Sequence, residues 1–311
     1  MDVTPLAGRP ISRLQSKINT MKNVKLRAAL VSNISNTFLV ISKFIIGVVS
    51  GSVSIISEAI HSGMDLIASL IAFLSIKKAS NPADEKHRYG YGKFEDISGL
   101  LEGQLIFVAA GWIIYQAIHK MLYHKTQIEF LELGIIVMAG SSIINFFVSN
   151  YLYKISKKYD SIALEADALH LRTDVYTSVG IFVGLFLIKI FKLEILDPII
   201  AIIVALFIIR TSMELVTRSF RNLTDFRLSE DDLSRIHKII NEHNSEFVDF
   251  HELRGRKAGS ERHLDFHLTI KKDTNLEKAH SFCDHLEEDI KKEFPGTQIM
   301  IHLEPKQEDT E

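Results

Sequence analysis

The stretch Ser57-Glu58-Ala59-Ile60-His61-Ser62-Gly63-Met64-Asp65 sets two carboxylates and an imidazole inside an otherwise apolar run, Ser52–Ser75. A run of about 20 such residues can cross a bilayer as a helix. A charged group in mid-span costs about 2.5–3.5 kcal/mol on insertion scales, so each one needs an explanation. The spacing here (acid, two residues, His, three residues, Asp) puts all three side chains on one helical stripe. The same spacing returns at Asp167, His170 and Asp174, within the run Asp167–Phe191.

Around these two runs lie four more of comparable length: Leu26–Val49, Ile97–Met121, Ile128–Tyr153 and Ile195–Met213. The last carries a helix-start signal, Asp197-Pro198. Together they predict six membrane spans. Basic residues crowd the N-terminal arm (Arg13, Lys17, Lys22, Lys25, Arg27) and the loop after span two (Lys77, Lys78, Lys86, Arg88, Lys93). They recur after span four (Lys154, Lys157, Lys158) and at the exit of span six (Arg210, Arg218, Arg221), whereas the opposite loops offer only Lys120, Lys125, Lys189 and Lys192. By the positive-inside rule both termini are expected in the cytoplasm of a multi-pass protein of the cell membrane.

After about Thr224 the pattern changes. Glu230–Glu242 and Leu276–Phe294 have helical apolar spacing, and Phe247–Arg256, Arg262–Ile270 and Thr297–Leu303 read as strands. Leu264, Phe266, Leu268 and Ile270 alternate with His263, Asp265 and His267, one set for a core and one for the other face. The order helix, strand, strand, helix, strand predicts a small α+β sandwich. The expected organisation is an N-terminal arm (1–23), a six-helix transmembrane bundle (24–223), a cytoplasmic α+β domain (224–305) and a disordered tail (306–311).

The chain has 311 residues and a formal net charge of −2, which conceals a division. Up to Leu223 there are 23 basic and 17 acidic residues, and beyond it 13 basic and 21 acidic, so the parts carry +6 and −8. An apolar fraction of 47% excludes a disordered chain, and the single cysteine, Cys283, excludes a disulfide-stapled domain. The basic residues sit in short clusters between apolar runs instead of along one polar face, which argues against nucleic-acid binding. The first 21 residues lack the apolar core of a cleaved signal.

The His-x3-Asp pair in each stripe has a chemical use. Adjacent helical turns bring an imidazole nitrogen and a carboxylate oxygen within reach of one ion. If spans two and five are neighbours, His61, Asp65, His170 and Asp174 supply two nitrogens and two oxygens, a tetrahedral set suited to a borderline divalent cation such as Zn2+. The competing reading is that each polar side chain is satisfied by interhelical hydrogen bonds or charge pairs. Glu58 and Asp167, one turn away, are candidates for holding the ligands, relaying protons or charging a vestibule.

The chain resembles the cation diffusion facilitators, a family of divalent-metal/proton antiporters, from about Val24 to Pro305. The resemblance is carried by the two stripes, quoted as Ser57–Asp65 and Glu165–Asp174, and by the loop Asn81-Pro82-Ala83-Asp84-Glu85-Lys86-His87-Arg88-Tyr89-Gly90-Tyr91-Gly92-Lys93. It implies that His61, Asp65, His170 and Asp174 form the transport site, in a two-His, two-Asp version typical of zinc transporters. It also implies that the C-terminal domain is a ferredoxin-like fold that dimerises and binds cytoplasmic metal through His251, His267, His302 and Glu304, with His237 a looser match. Lys93 and Asp225 match a charge interlock at the family's dimer hinge.

The loop pair Asp84 and His87 has a metal-like spacing, but the third ligand of similar proteins is here Tyr91, so weak binding or none is expected. The tail holds eight of the thirteen histidines; His243, His263, His280 and His285 are read as ordinary surface.

The expected function is divalent cation efflux, most simply of Zn2+ as transported substrate and regulatory ligand, by a homodimer in a lipid bilayer with protons as counter-ion. Export of Fe2+, Mn2+, Co2+ or Cd2+ uses the same donors, and a non-translocating metal sensor is the alternative class. Enzymatic activity is not expected: a metallohydrolase needs an open coordination position and a general base, and no Gly-rich phosphate loop is present.

Overall fold

The computed structural model describes residues 10–50, 53–123, 132–191 and 196–306, and inside its helices some side chains, including those of 53–58, 60, 61 and 181–191, fall outside the description. The chain divides into two compact units, one of them Asn23–Phe220 and the other holding Arg221 onward.

Six long helices come first: α1 Pro10–Ser50, α2 Val53–Ala79, α3 Lys93–Tyr123, α4 Glu132–Tyr159, α5 Ile162–Phe191 and α6 Leu196–Leu223. They overrun several of the expected spans, because hydropathy stops at the edge of an apolar layer while the hydrogen-bond ladder continues until the sequence breaks it. The helix α1 runs back to Pro10 and α5 to Ile162. Among the described residues, three stretches are long and apolar enough to cross a membrane: Asn19–Ile46, Lys93–His119 and Pro198–Leu223.

In this unit α5 packs against α2, α3 and α4. Small residues are buried beside large aliphatic ones: Ala28 and Ala29 of α1, Ala68 and Ala72 of α2, and Ala163, Ala166 and Ala168 of α5, together with Ile76, Leu152, Leu164 and Leu171. Small side chains let helix backbones approach where no hydrophobic effect drives them together. The limiting case is α3 against α6. A Cβ on Gly103 would lie 2.7 Å from Val216 Cγ2, one on Gly99 would lie 2.8 Å from Ser219 Oγ, and Ser212 Oγ donates to the Gly103 carbonyl at 2.6 Å. Phe38, Val108, Trp112, Phe147, Ile203 and Phe207 point outward and are exposed, an arrangement suited to lipid.

The helices α4 and α6 end alike. Asp160 (φ 50°) and Asp225 (φ 55°) take the left-handed conformation, and the next amides, Ser161 N and Phe226 N, donate back to the carbonyls of Ser156 and Arg221. Beside the first cap, the buried Glu95 of α3 pairs with Lys25 of α1 and accepts from Ser161 Oγ at 2.5 Å.

The second unit contains α7 Glu230–Glu242, β1 Asp249–Ala258, β2 Glu261–Ile270, α8 Leu276–Glu293 and β3 Gln298–Pro305. The elements follow the order the sequence predicts, with ends moved by one or two residues. Ser229 caps α7 by accepting from Asp232 N, and Asn275 caps α8 by accepting from Lys278 N. The strands form one sheet in the order β1-β2-β3, with β1 and β2 antiparallel and β2 and β3 parallel. Ile236, Ile240, Leu264, Phe266, Leu268, Phe282, Leu286 and Ile290 make the core. Gly255 is required there: a Cβ would meet Leu228 Cδ1 and Leu264 Cδ2, both at 2.7 Å.

Candidate metal centres

The condition on the first candidate centre is that α2 and α5 be neighbours, and they pack directly. Their stripes meet where His170 Nε2 lies 2.9 Å from Asp65 Oδ1, with both side chains largely buried. Asp174, one turn beyond His170, accepts from Asn145 Nδ2 of α4 at 3.3 Å, so a third helix orients its carboxylate. The side chains of His61 and Glu58 lie outside the described residues, although their backbones belong to α2.

Around this meeting point are further buried polar groups, of which Glu102 and Lys43 are new to the structure while Asp167 belongs to the second stripe. Glu102 of α3 and Asp167 of α5 are fully buried, and Glu102 accepts from Ser98 Oγ at 2.8 Å. Neither oxygen of Asp167 nor Glu102 Oε2 has a hydrogen-bond partner among the described residues. Lys43 of α1 is buried too and donates to Ser62 Oγ, beside His61 in the chain, at 2.7 Å. The signal for both was available: each is a charged residue inside an apolar run, the feature that singled out the stripes.

The loop between α2 and α3 is closed on itself. Asp84 Oδ1 accepts from the amides of Lys86 (3.0 Å) and His87 (2.7 Å), and Asp84 Oδ2 accepts from the Tyr91 hydroxyl at 2.6 Å. The Tyr91 hydrogen bond holds the Asp84 carboxyl below its usual range and pushes the phenol above its own. The rings of His87 and Tyr91 lie 4.1 Å apart, with Lys78 Nζ 4.2 Å from the Tyr91 centroid. Tyr91 thus takes up the carboxylate oxygen that a cation would use.

In the second unit, register brings three histidines into a row. His251 of β1 pairs with His267 of β2, which pairs with His302 of β3. Ring centroids are 5.3 Å apart for the first pair and 4.7 Å for the second. Glu304, two residues on from His302, accepts from His267 Nδ1 at 2.9 Å and lies 3.4 Å from His251 Nε2. The ligand atoms of His251, His267 and Glu304 are all within 4.8 Å of one another. His302 Nε2 is 3.8 Å from the same carboxylate, while His237 stands apart, its ring 5.2 Å from Phe250.

Glu252 was not anticipated. Strict alternation would send it to the face opposite His251, but β1 is bulged between His251 and Arg254, Glu252 has φ 52°, and its Oε2 lies 3.8 Å from His267 Nε2. Asp225 accepts from Arg256 Nη1 at 3.0 Å within its own unit, and Lys93 opens α3 in the other.

Comparison with known proteins agrees with both halves. The cation efflux transmembrane domain family matches residues 29–224, and the cation efflux cytoplasmic domain family matches residues 228–306. An uncharacterized transporter of Synechocystis is 34% identical over 83% of each chain. The cation-efflux pump FieF of Shewanella oneidensis is 29% identical over 86% of this chain and 90% of its own. A solved zinc form of CzrB is 36% identical over 27% of this chain and 97% of that one, with a TM-score of 0.26. With family matches over both halves of its length, this chain belongs to the cation efflux, or cation diffusion facilitator, family of transporters.

Proposed function

We propose that this divalent-cation efflux transporter exports Zn2+ across the cytoplasmic membrane in exchange for protons, through a site of His61, Asp65, His170 and Asp174. The observation that carries the reading is the contact between Asp65 of α2 and His170 of α5, 2.9 Å apart in a largely buried setting. Two stripes of identical spacing on two touching helices are what a shared ion requires. Two imidazoles and two carboxylates form a borderline-soft tetrahedral set, which favours zinc over the harder cations.

The same contact supports proton coupling. A proton shared by His170 and Asp65 and a cation ligated by both occupy the same line between the two side chains, so each displaces the other. Loading needs neutral imidazole and ionised carboxylate and therefore releases protons; reprotonation expels the ion. A gradient that keeps the cytoplasm alkaline then drives metal outward by alternating access. Glu102 and Asp167 extend the buried acidic lining for one turn beyond the pair and are suited to passing protons to it.

In this reading α1 to α6 all span the bilayer with both termini cytoplasmic, α2, α4 and α5 carrying the polar residues of the path. The cytoplasmic unit is a ferredoxin-like, homodimerising domain in which His251, His267, His302 and Glu304 take up cytoplasmic metal, and Lys93 with Asp225 locks the hinge. The test is a proteoliposome assay with an internal pH dye and competing divalent ions. Zn2+-driven proton release that Asp174→Ala abolishes is the expected result; normal flux from that variant would overturn the site.

A further inference from the structure

The helical face of the cytoplasmic unit carries a second group of metal-ligating side chains, away from the histidine row on the sheet. His243 follows the last residue of α7, while His285 and Asp289 stand one turn apart on α8. Asp289 Oδ2 lies 3.1 Å from His243 Nε2 and 3.6 Å from His285 Nε2, and the three ligand atoms are all within 4.8 Å of one another. A tetrahedral zinc with bonds of about 2.0–2.2 Å separates its ligand atoms by about 3.3–3.6 Å. The two separations from Asp289 are already close to that spacing.

The surroundings favour ligation. Lys292 Nζ donates to Asp289 Oδ1 at 2.6 Å, which leaves Oδ2 turned to the two imidazoles. This is the outer contact that fixes a ligating carboxylate. The imidazoles stand nearly perpendicular, at 89° with centroids 5.2 Å apart, and His243 packs edge-on to Phe282 of the core. His285 also lines a cleft with Glu246 and Ser281, so its ring is open to the surroundings. The amide of Glu246 is held by the His243 carbonyl at 3.0 Å.

We infer that His243, His285 and Asp289 form a second cytoplasmic metal site, selective for a borderline divalent cation such as Zn2+, that pins the end of α7 to α8. Bound metal replaces the proton between His243 and Asp289 and adds His285 to the link. The two helices then become less free to separate wherever cytoplasmic zinc exceeds the site's dissociation constant. The inference rests on zinc being the ion this chain meets, as proposed above, but it is read out in bound metal, so failure of transport and failure of this site are distinguishable.

The test uses the full chain in detergent micelles, equilibrated at fixed free Zn2+ and analysed for zinc per protomer, with Co2+ absorption as a second readout. His285→Gln and Asp289→Asn should each lower bound zinc by one ion per protomer. They should do so equally in the native chain and in a background carrying Asp174→Ala and His267→Gln. His285 is 57% exposed, so its replacement should leave the metal-free unfolding midpoint unchanged. Unchanged stoichiometry and an unchanged tetrahedral Co2+ band in His285→Gln would overturn the site, as would a zinc loss seen in the native chain that vanishes in the background lacking His267.

Discussion

The polar cluster between α2 and α5 and the histidine row on the sheet use similar donors in opposite settings. Asp65 and His170 are largely buried between helices, with side-chain exposures of 9% and 15%. His251 and His302 stand at 39% and 65% on an open sheet face. Burial makes an unpaired charge expensive, so under the transport site proposed above the first cluster exchanges protons for metal and does not stand empty. The second can do without either. Obligatory exchange suits a carrier, and optional occupancy suits a sensor.

The widest separation between the two is expected in transport. Asp174→Ala and Asp65→Ala should bring Zn2+-driven proton flux in proteoliposomes to the background of empty vesicles. Glu304→Gln, which removes charge from the sheet face, should leave maximal flux intact and shift its zinc dependence by about tenfold or less, on the order of 1.4 kcal/mol. Equal losses from both clusters would break the comparison.

Stability should separate the settings next. Glu95→Ala removes the carboxylate from the buried Lys25–Glu95 pair in the membrane unit, at a cost of about 3–5 kcal/mol. Asp265→Ala on the sheet face breaks an Arg254–Asp265 contact of 3.1 Å whose side chains are 67% and 49% exposed. That loss should be about 0–1 kcal/mol. Denaturant titration of the two variants in the same detergent checks the ratio, and similar values would mean that water reaches Glu95.

Between these extremes lies Cys283 of α8, buried against the core of the cytoplasmic unit. Burial first, then Glu287 and Asp284, push its thiol up from 9.0 to about 11. The protonated form is favoured on folding, so the stability tied to it is full below pH 9 and is lost as pH rises through about 11. Maleimide labelling at pH 8 should be slow in the folded chain and fast in urea. Fast labelling of the folded chain would show that this core opens more readily than its packing implies.

The smallest effect belongs to the loop between α2 and α3. Its Asp84 is held low by Tyr91, so the contribution of this carboxylate is present above 3.8 and fades as pH falls through the lowered value. Tyr91→Phe should move the carboxyl back toward 3.8 in a carbon-13 NMR titration. An unmoved titration would show that the backbone amides of Lys86 and His87 set the value alone.

How much of this could be read from the chain depends on how local the determinant is. Helical spacing is a property of one segment, so the two stripes, the order of elements in the second unit and the alternation in β2 were legible. That α2 touches α5 was a condition of the argument and not its product. The histidine row depends on strand register, and Glu252 on a bulge, which are non-local and invisible to a period-two count. His243, His285 and Asp289 escaped for the same reason: the pair on α8 has a readable spacing, but its partner comes from the far end of another helix. Glu102 and Lys43 are charged residues inside apolar runs and carry the same local signal as the stripes.

The close approach of α3 to α6 restricts how the membrane unit can change shape. Gly99 and Gly103 present bare backbone to Ser219 and Val216, with no room for even a methyl group between them. Turning α6 about its own axis would drive a neighbouring bulkier side chain into the α3 backbone. Sliding past it would break the Ser212–Gly103 hydrogen bond. These contacts favour α3 and α6 moving together, so a rearrangement of the kind proposed above would carry both helices at once.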